Sequence, residues 1–280
     1  MSTRDETTIK EAVRDRYAGH AVTKTSCCGG GSCCGGGSAT GATAVIPGSY
    51  DPAELAALPG DADLGLGCGN PLALESLTEG ETVVDLGSGG GIDCFLAAGR
   101  VGPTGRVIGV DMTPEMIALA RRNAALGGHA NVEFRLGEIE ALPVADGTAD
   151  IVISNCVINL VPDKRRAFAE TFRITKPAGR ISVSDIVTTE PLPELARESV
   201  AAYVACLGGA STLEDYLGAI EEAGFANVRV VSDTAYAMDD DEADALASSF
   251  GADLPGTLDA DGARRVARLF HSVTVQARRP

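Results

Sequence analysis

At 280 residues, with 45% hydrophobic and 22% charged residues, the chain can bury one full core and has the composition of an ordinary soluble globule. Its formal net charge of −16 argues against a nucleic-acid partner, because a phosphate backbone would be repelled. There is no run of about 18 or more apolar residues, which argues against a membrane span, and the absence of tryptophan leaves few stacking platforms for bases.

The first residues, MSTRDETTIKEAVRDRY, are charged and lack an apolar stretch. No secretory signal is expected, and the expected compartment is the cytoplasm. Eight cysteines there are expected as thiols, metal ligands or catalytic groups rather than as disulfides. Ile9–Tyr17 predicts a short helix. Residues 26–41, SCCGGGSCCGGGSATG, hold two Cys-Cys pairs among glycines and read as flexible coil. The pairs lack the spacing of zinc knuckles. A disordered tail with incidental thiols is the plainest reading, yet exposed thiols oxidise and suit an inert linker poorly. Asp51-Pro52 predicts a helix start. Leu66-Gly67-Cys68-Gly69-Asn70-Pro71 is a glycine-flanked turn. There the Cys68 sulfur is open, although free cysteine is commonly a buried filler.

The chain is organised around Glu81–Asp93, ETVVDLGSGGGID. Thr82–Asp85 predicts a buried strand ending on an acid, Gly87–Gly91 a turn, and Ile92 the start of a helix. Glycines there permit positive φ and close approach of a ligand. The amides and the positive end of the next helix point to the same place. Ile92 stands where a nicotinamide fingerprint wants its last glycine, which weakens that reading. Asp85 instead suits a ligand bearing positive charge, such as the ammonium and sulfonium of S-adenosylmethionine. Arg106–Asp111 predicts a second strand ending on an acid placed to bind both ribose hydroxyls.

Pro114–Leu126 predicts a helix and Asn131–Leu136 a third strand. Gly137–Pro143 is a loop at the carboxyl edge, where doubly wound sheets bind cofactors. Asp150–Ser154 reads as a central parallel strand that delivers Asn155 and Cys156 to that edge. Asp163–Ile174 predicts an amphipathic helix, Lys176–Gly179 a turn and Arg180–Asp185 a fifth strand. Further helices are expected over Leu192–Cys206, over Thr212–Ala223 with a cap at Ser211 or Thr212, and over Asp239–Ser249. Asn227–Ser232 predicts a sixth strand and His271–Ala277 a closing one. The expected fold is α/β: a Rossmann-like, mostly parallel seven-stranded sheet with helices on both faces. Residues 1–45 are expected as a flexible arm, 46–235 as the cofactor-binding domain, and 236–280 as its closing helix and strand.

Methyl transfer to oxygen or nitrogen usually needs a base. The histidines, His20, His129 and His271, lie in no motif and at no predicted carboxyl edge. Cys68, Cys156 and Cys206 do fall in loops or at that edge. Three converging thiolates would make a soft pocket for a thiophilic centre such as As(III). The lone pair of As(III) can take a methyl group without a base. No metal cofactor is expected.

The motifs LGCGNP (66–71), GETVVDLGSGGGIDCFLAA (80–98), VIGVDMTPEMIALAR (107–121), SNCVINLVPDK (154–164), GRISVSDIV (179–187) and CLGGA (206–210) resemble those of arsenite S-adenosylmethionine methyltransferases. The glycine loop and the VDMT stretch also occur in quinone-biosynthesis C-methyltransferases; the three cysteine contexts single out arsenic. The resemblance implies that Cys68, Cys156 and Cys206 bind As(III), with the last two most essential. It also implies a fourth cysteine near the N-terminus that forms a disulfide reduced by thioredoxin or glutathione. Cys27, Cys28, Cys33 and Cys34 are all available; Cys34 stands for this role with the choice open. The implied cofactor contacts are Asp85, Gly87, Ser88, Gly89 and Asp93 at the loop, Asp111 and Met112 at ribose and adenine, and Glu138 and Ile139 near the adenine. Asn155 is expected near the sulfonium. Little room is expected for the extra C-terminal domain of longer members. Two other readings stand beside this one: a quinone- or sterol-type C- or O-methyltransferase, indifferent to loss of Cys68, and a metalloid-sequestering protein without chemistry.

Overall fold

The structure is a computed structural model that describes residues 6–23, 55, 58, 59, 62, 64, 76–194, 197, 203, 206–235 and 260–280. The cysteine-rich arm, the Leu66–Pro71 turn with Cys68, the Asp239–Ser249 segment, and most of the segments after Asp51 and between Leu192 and Cys206 lie outside those residues.

The described elements, in chain order, are α1 (Glu6–Thr23), β1 (Thr82–Leu86), α2 (Ile92–Val101), β2 (Arg106–Asp111), α3 (Pro114–Gly127), β3 (Val132–Leu136), β4 (Ala149–Asn155), a 3-10 turn (Ile158–Leu160), α4 (Lys164–Ile174), β5 (Thr175–Thr188), α5 (Leu213–Glu222), β6 (Ala226–Ala235), α6 (Ala260–Ala267) and β7 (Phe270–Arg278). They form one seven-stranded sheet in the order β3-β2-β1-β4-β5-β7-β6. The first five strands in that order run parallel, and β7 inserts antiparallel between β5 and β6.

Alternate residues of the central strands enter two cores, one on each face. Val83, Val107, Ile151 and Ile153 pack with Cys94, Phe95 and Ala98 of α2 and Ile117 and Ala120 of α3. Val84, Ile108, Val110 and Val152 pack with Phe168 of α4 and Tyr216 and Ile220 of α5. Burial on both faces is why these strands read as continuous apolar runs. Local chemistry sets the helix starts. Pro114 opens α3; the Asp163 and Thr212 side chains accept amide hydrogen bonds from Arg166 and Asp215 and so cap α4 and α5.

Three elements differ from expectation. α1 runs from Glu6 to Thr23, past the expected Ile9–Tyr17 at both ends, and is docked on the domain by the contacts described below. The Lys176–Gly179 turn is a bulge inside β5: Thr175 pairs with Ala149 and Arg180 already with Ile151. Ala178, at φ 62, donates its amide to Arg279 there. The helix α6 was not expected; in the sequence, glycine, alanine and charge in GTLDADGARR mask its short amphipathic pattern.

β1 is the switch point of the sheet. The chain winds outward from β1 to β3, then returns to β4 on the other side of β1. The carboxyl ends of β1 and β4 therefore flank a crevice, and ligands of such sheets bind there.

Candidate active site

The loop after β1 is held by the neighbouring strand. Gly87 and Ser88 both donate their amides to the Val110 carbonyl, at 2.7 and 3.0 Å. Gly87, Gly89 and Gly91 have φ of 71, 49 and 98. A Cβ on Gly87 would sit 2.4 Å from Val157 Cγ2, so glycine there lets the loop touch the residue after Cys156. The Asn123 amide, from α3, donates to the Gly90 carbonyl at 3.0 Å.

Three carboxylates surround this loop. Asp111 accepts the Gly89 amide at 3.0 Å on one oxygen and the Thr113 amide at 2.8 Å on the other. The Thr113 side chain bonds the same carboxylate, which leaves it a lone pair for a ligand hydroxyl. Asp85 is buried under the loop and accepts a hydrogen bond from the Cys94 thiol at 3.2 Å. Burial and the nearby Asp93 push the Asp85 carboxyl well above the usual range, with Asp111 adding to the rise and the Cys94 thiol opposing it. Burial raises Asp111 also, against the amide bonds that hold it down. Asp93 accepts from the Asn155 amide at 3.3 Å, which ties α2 to the end of β4. Mutually repelling acids in a dry crevice favour a cationic ligand, whose charge relieves them. An ammonium and sulfonium ligand with ribose hydroxyls fits this donor set.

The cysteine side adjoins the loop directly. Cys156 follows β4 at φ 55 and Cys206 sits at φ 64, both in the left-handed region where non-glycine residues are uncommon. Such strain persists where surrounding structure over-determines it. The Cys156 amide donates to the Ser184 carbonyl of β5 at 2.8 Å. The Cys206 thiol donates to the Cys156 carbonyl at 3.1 Å, joining positions 50 residues apart. Asn159, fully buried in the turn between β4 and α4, donates to the Ile186 carbonyl at 2.5 Å and the Cys206 carbonyl at 3.3 Å. A Cβ on Gly209 would come within 2.0 Å of the Asn159 carbonyl oxygen. The two cysteine turns thus lie in direct contact. Cys156 and Cys206 are buried thiols, as is Cys94, which packs under the sheet in the α2 core.

Above them lies α1. Val13, Leu160 and Cys206 form one cluster with Ile9, Tyr17, Met112 and Tyr203. Met112, an expected adenine contact, therefore shares a cluster with Cys206. Lys10 reaches Glu138 at 2.8 Å and Glu140 at 2.7 Å, and Arg14 reaches Glu138 at 3.7 Å. Ile139 between them is buried. The Tyr17 hydroxyl lies 3.7 Å from the Cys206 sulfur. Deeper, Asp185 accepts from the Ile186 amide and from the Tyr216 hydroxyl at 3.4 Å. Burial lifts its carboxyl to about 7 against those bonds and the charge of Lys164. Burial lowers the Lys164 ammonium, against the pull of Asp185, Cys206 and Glu140.

The structure thus gathers Asp85, Gly87, Ser88, Gly89, Asp93, Asp111, Met112, Asn155, Cys156 and Cys206 around one crevice, with Glu138 and Ile139 on its rim beneath α1. Cys68 and Cys34 lie outside the described residues. Among the described residues no group of three or more histidine, cysteine, aspartate or glutamate side chains is disposed to hold a metal ion. The histidines are elsewhere engaged: His129 stacks on Phe95, His271 pairs with Asp233 at 2.6 Å, and His20 meets the Tyr17 ring edge-on. Sequence reasoning missed Asn159, Lys164, Gly209 and the tyrosine and lysine of α1. One signal was available: Asn159 is the polar residue inside the apolar run Val157–Val161.

Residues 77–224 match the model of a methyltransferase domain family. The chain is 44% identical to an arsenite methyltransferase of Halobacterium salinarum over all of its own length and 69% of that protein's. It is 37% identical to the arsenite methyltransferase of Homo sapiens over 59% of this chain, but spans 46% of the human protein. In three dimensions it is similar to an arsenic(III) S-adenosylmethionine methyltransferase from Chlamydomonas reinhardtii, with TM-score 0.62 and 31% identity, covering 82% of this chain and 74% of that one.

Proposed function

The chain belongs to the arsenite methyltransferases, and from that premise we propose that it holds trivalent arsenic on the sulfurs of Cys156, Cys206 and Cys68 and methylates it there. The observation that carries the reading is the Cys206 thiol 3.1 Å from the Cys156 carbonyl, at the edge of the crevice that holds Asp85, Asp93 and Asp111. S-adenosylmethionine, the methyl donor, supplies an electrophilic methyl group on a sulfonium.

Each residue then has a definite task. Asp85 and Asp93 meet the positive charge of the donor, Asp111 accepts from its ribose hydroxyls, and the glycine loop, bare of side chains, lets it approach the backbone closely. Met112, Glu138 and Ile139 border its base. Asn155, tied to Asp93, sits between the two halves of the site. Cys156 and Cys206 exchange onto As(III) delivered as a thiol conjugate, and Cys68 completes a trigonal set of soft ligands. The arsenic lone pair attacks the methyl carbon, so no general base is required. An arm cysteine (Cys27, Cys28, Cys33 or Cys34) serves redox turnover with thioredoxin or glutathione in a cytoplasmic setting. Among the described residues, no helix is long and apolar enough to cross a membrane. The division into an arm at 1–45, a core at 46–235 and a closing segment at 236–280 belongs to the same proposal.

The test is turnover of arsenite with S-adenosylmethionine and glutathione, with arsenic species separated by element-specific detection. Cys156→Ser and Cys206→Ser should abolish methylation while leaving S-adenosylmethionine binding intact. Normal turnover by Cys156→Ser would defeat the reading. Unchanged arsenite, with the donor still bound by the wild type, would point to an organic substrate of the quinone or sterol type.

A further inference from the structure

Among the described residues, the Cys206 sulfur lies 3.1 Å from the Cys156 carbonyl and 3.7 Å from the Tyr17 hydroxyl. A thiol has one hydrogen. Cys206 gives it to the carbonyl, so Tyr17 is the donor to the sulfur. The Tyr17 ring is itself fixed from two sides, against Val13 and Cys206 on one and Met116, Leu119 and Ala21 on the other. Residue 17 is 189 positions from Cys206, and α1 brings it there through the Lys10 bonds to Glu138 and Glu140.

Arsenic binding changes this balance. When a thiol conjugate of As(III) exchanges onto Cys206, an arsenic–sulfur bond to the carrier breaks and one to Cys206 forms. The Cys206 proton departs on the carrier thiol. The bond to the Cys156 carbonyl is then lost, because the sulfur no longer has a hydrogen to give. The bond from Tyr17 survives, because there the sulfur is the acceptor. We propose that Tyr17 is a positioning residue for the arsenic site: its hydroxyl, presented by α1, keeps hold of the Cys206 sulfur after As(III) has replaced the thiol hydrogen. The idea rests on the arsenic-binding role of Cys206 proposed above.

The full chain and its Tyr17→Phe and Tyr17→Leu variants are assayed with arsenite, glutathione and S-adenosylmethionine, and melting is followed in parallel. Tyr17→Phe keeps the packed ring and removes only the donor. Its KM for arsenite should rise about five- to tenfold, the order expected for one hydrogen bond. Its KM for S-adenosylmethionine and its Tm should stay at wild-type values. Tyr17→Leu should show at least the same rise. An unchanged arsenite KM in Tyr17→Phe overturns the proposal. So does a joint rise of both KM values with a lowered Tm, which would mark α1 packing alone. A wild type that binds S-adenosylmethionine but leaves arsenite unmethylated overturns both this proposal and the reading beneath it. Wild-type turnover with an indifferent Tyr17→Phe overturns this one only.

Discussion

Gly209 leaves no room for a side chain, since a Cβ there would meet the Asn159 carbonyl oxygen at 2.0 Å. The oxygen belongs to backbone and a Cβ is fixed rigidly to its own Cα, so the turn itself must move. Gly209→Ala should therefore separate the Cys206 turn from the Cys156 turn. A displacement of ~1 Å at a reacting centre costs about a hundredfold in rate. Arsenite methylation should fall by that order while S-adenosylmethionine binding persists, which equilibrium binding and turnover can check side by side. Asp185 gives a pH signature at the same scale. Its folded value of about 7 lies above the ordinary 3.8, because burial penalises the charged form. A raised carboxyl contributes stability that is fully present below about pH 4 and is lost as pH climbs to 7. Asp185→Asn removes this dependence. The Tm difference between variant and wild type should therefore shift in the variant's favour from pH 4 to pH 7.5 by thermal melting, and a constant difference would contradict the assignment.

Among the elements, α1 spans the most separate parts of the site. Its Val13 and Tyr17 cover Cys206, its cluster includes Met112, and its Lys10 bridges Glu138 and Glu140. Glu140 keeps only 5% of its side chain exposed, so loss of Lys10 leaves a buried carboxylate without that cation. Burial pulls the Lys10 ammonium down, yet its bonds to Glu138 and Glu140 hold it above the ordinary value, which marks the pairing as favourable in place. Lys10→Met should undock α1 while the sheet stays folded. Hydrogen exchange of residues 6–23 should accelerate about tenfold or more with little change across β1, β4 and β5. KM for both substrates should rise together, unlike the arsenite-only effect expected of Tyr17→Phe. α2 and α3 act differently: they are fixed by their cores, and their first turns hold Asp93 and Thr113 beside the loop.

For the whole molecule, the crevice lies between β1 and β4, so its walls belong to strands at the centre of the sheet. A ligand bound there stabilises only the folded chain. S-adenosylhomocysteine at a hundredfold excess over its Kd should add about 2.7 kcal/mol. At ~2–4 °C per kcal/mol for a domain of this class, the melting point should rise by about 5–10 °C. NAD at the same excess should leave it unmoved, because Ile92 stands where the dinucleotide turn wants glycine and three acids line the loop. Equal shifts for both ligands would sink the cofactor assignment.

Much of this was legible in the chain because it is local. A strand, a glycine turn and a helix follow one another within Glu81–Val101, and apolar runs with acids at their ends mark β1 and β2. The residue types at 66–71, 154–164 and 206–210 pointed to thiol chemistry. By itself, the sequence determined the parallel core, the acids around the glycine loop and the cysteines that became candidate sulfurs, since hydrophobic period and residue chemistry are properties of short segments. Only the tertiary structure decided what lies beside what. Cys206 meets the Cys156 carbonyl across 50 positions, and Lys10 meets Glu138 across 128. β7 enters the sheet antiparallel between β5 and β6. Each of these depends on how separate segments share one core, and period and composition within a segment carry no record of its partner.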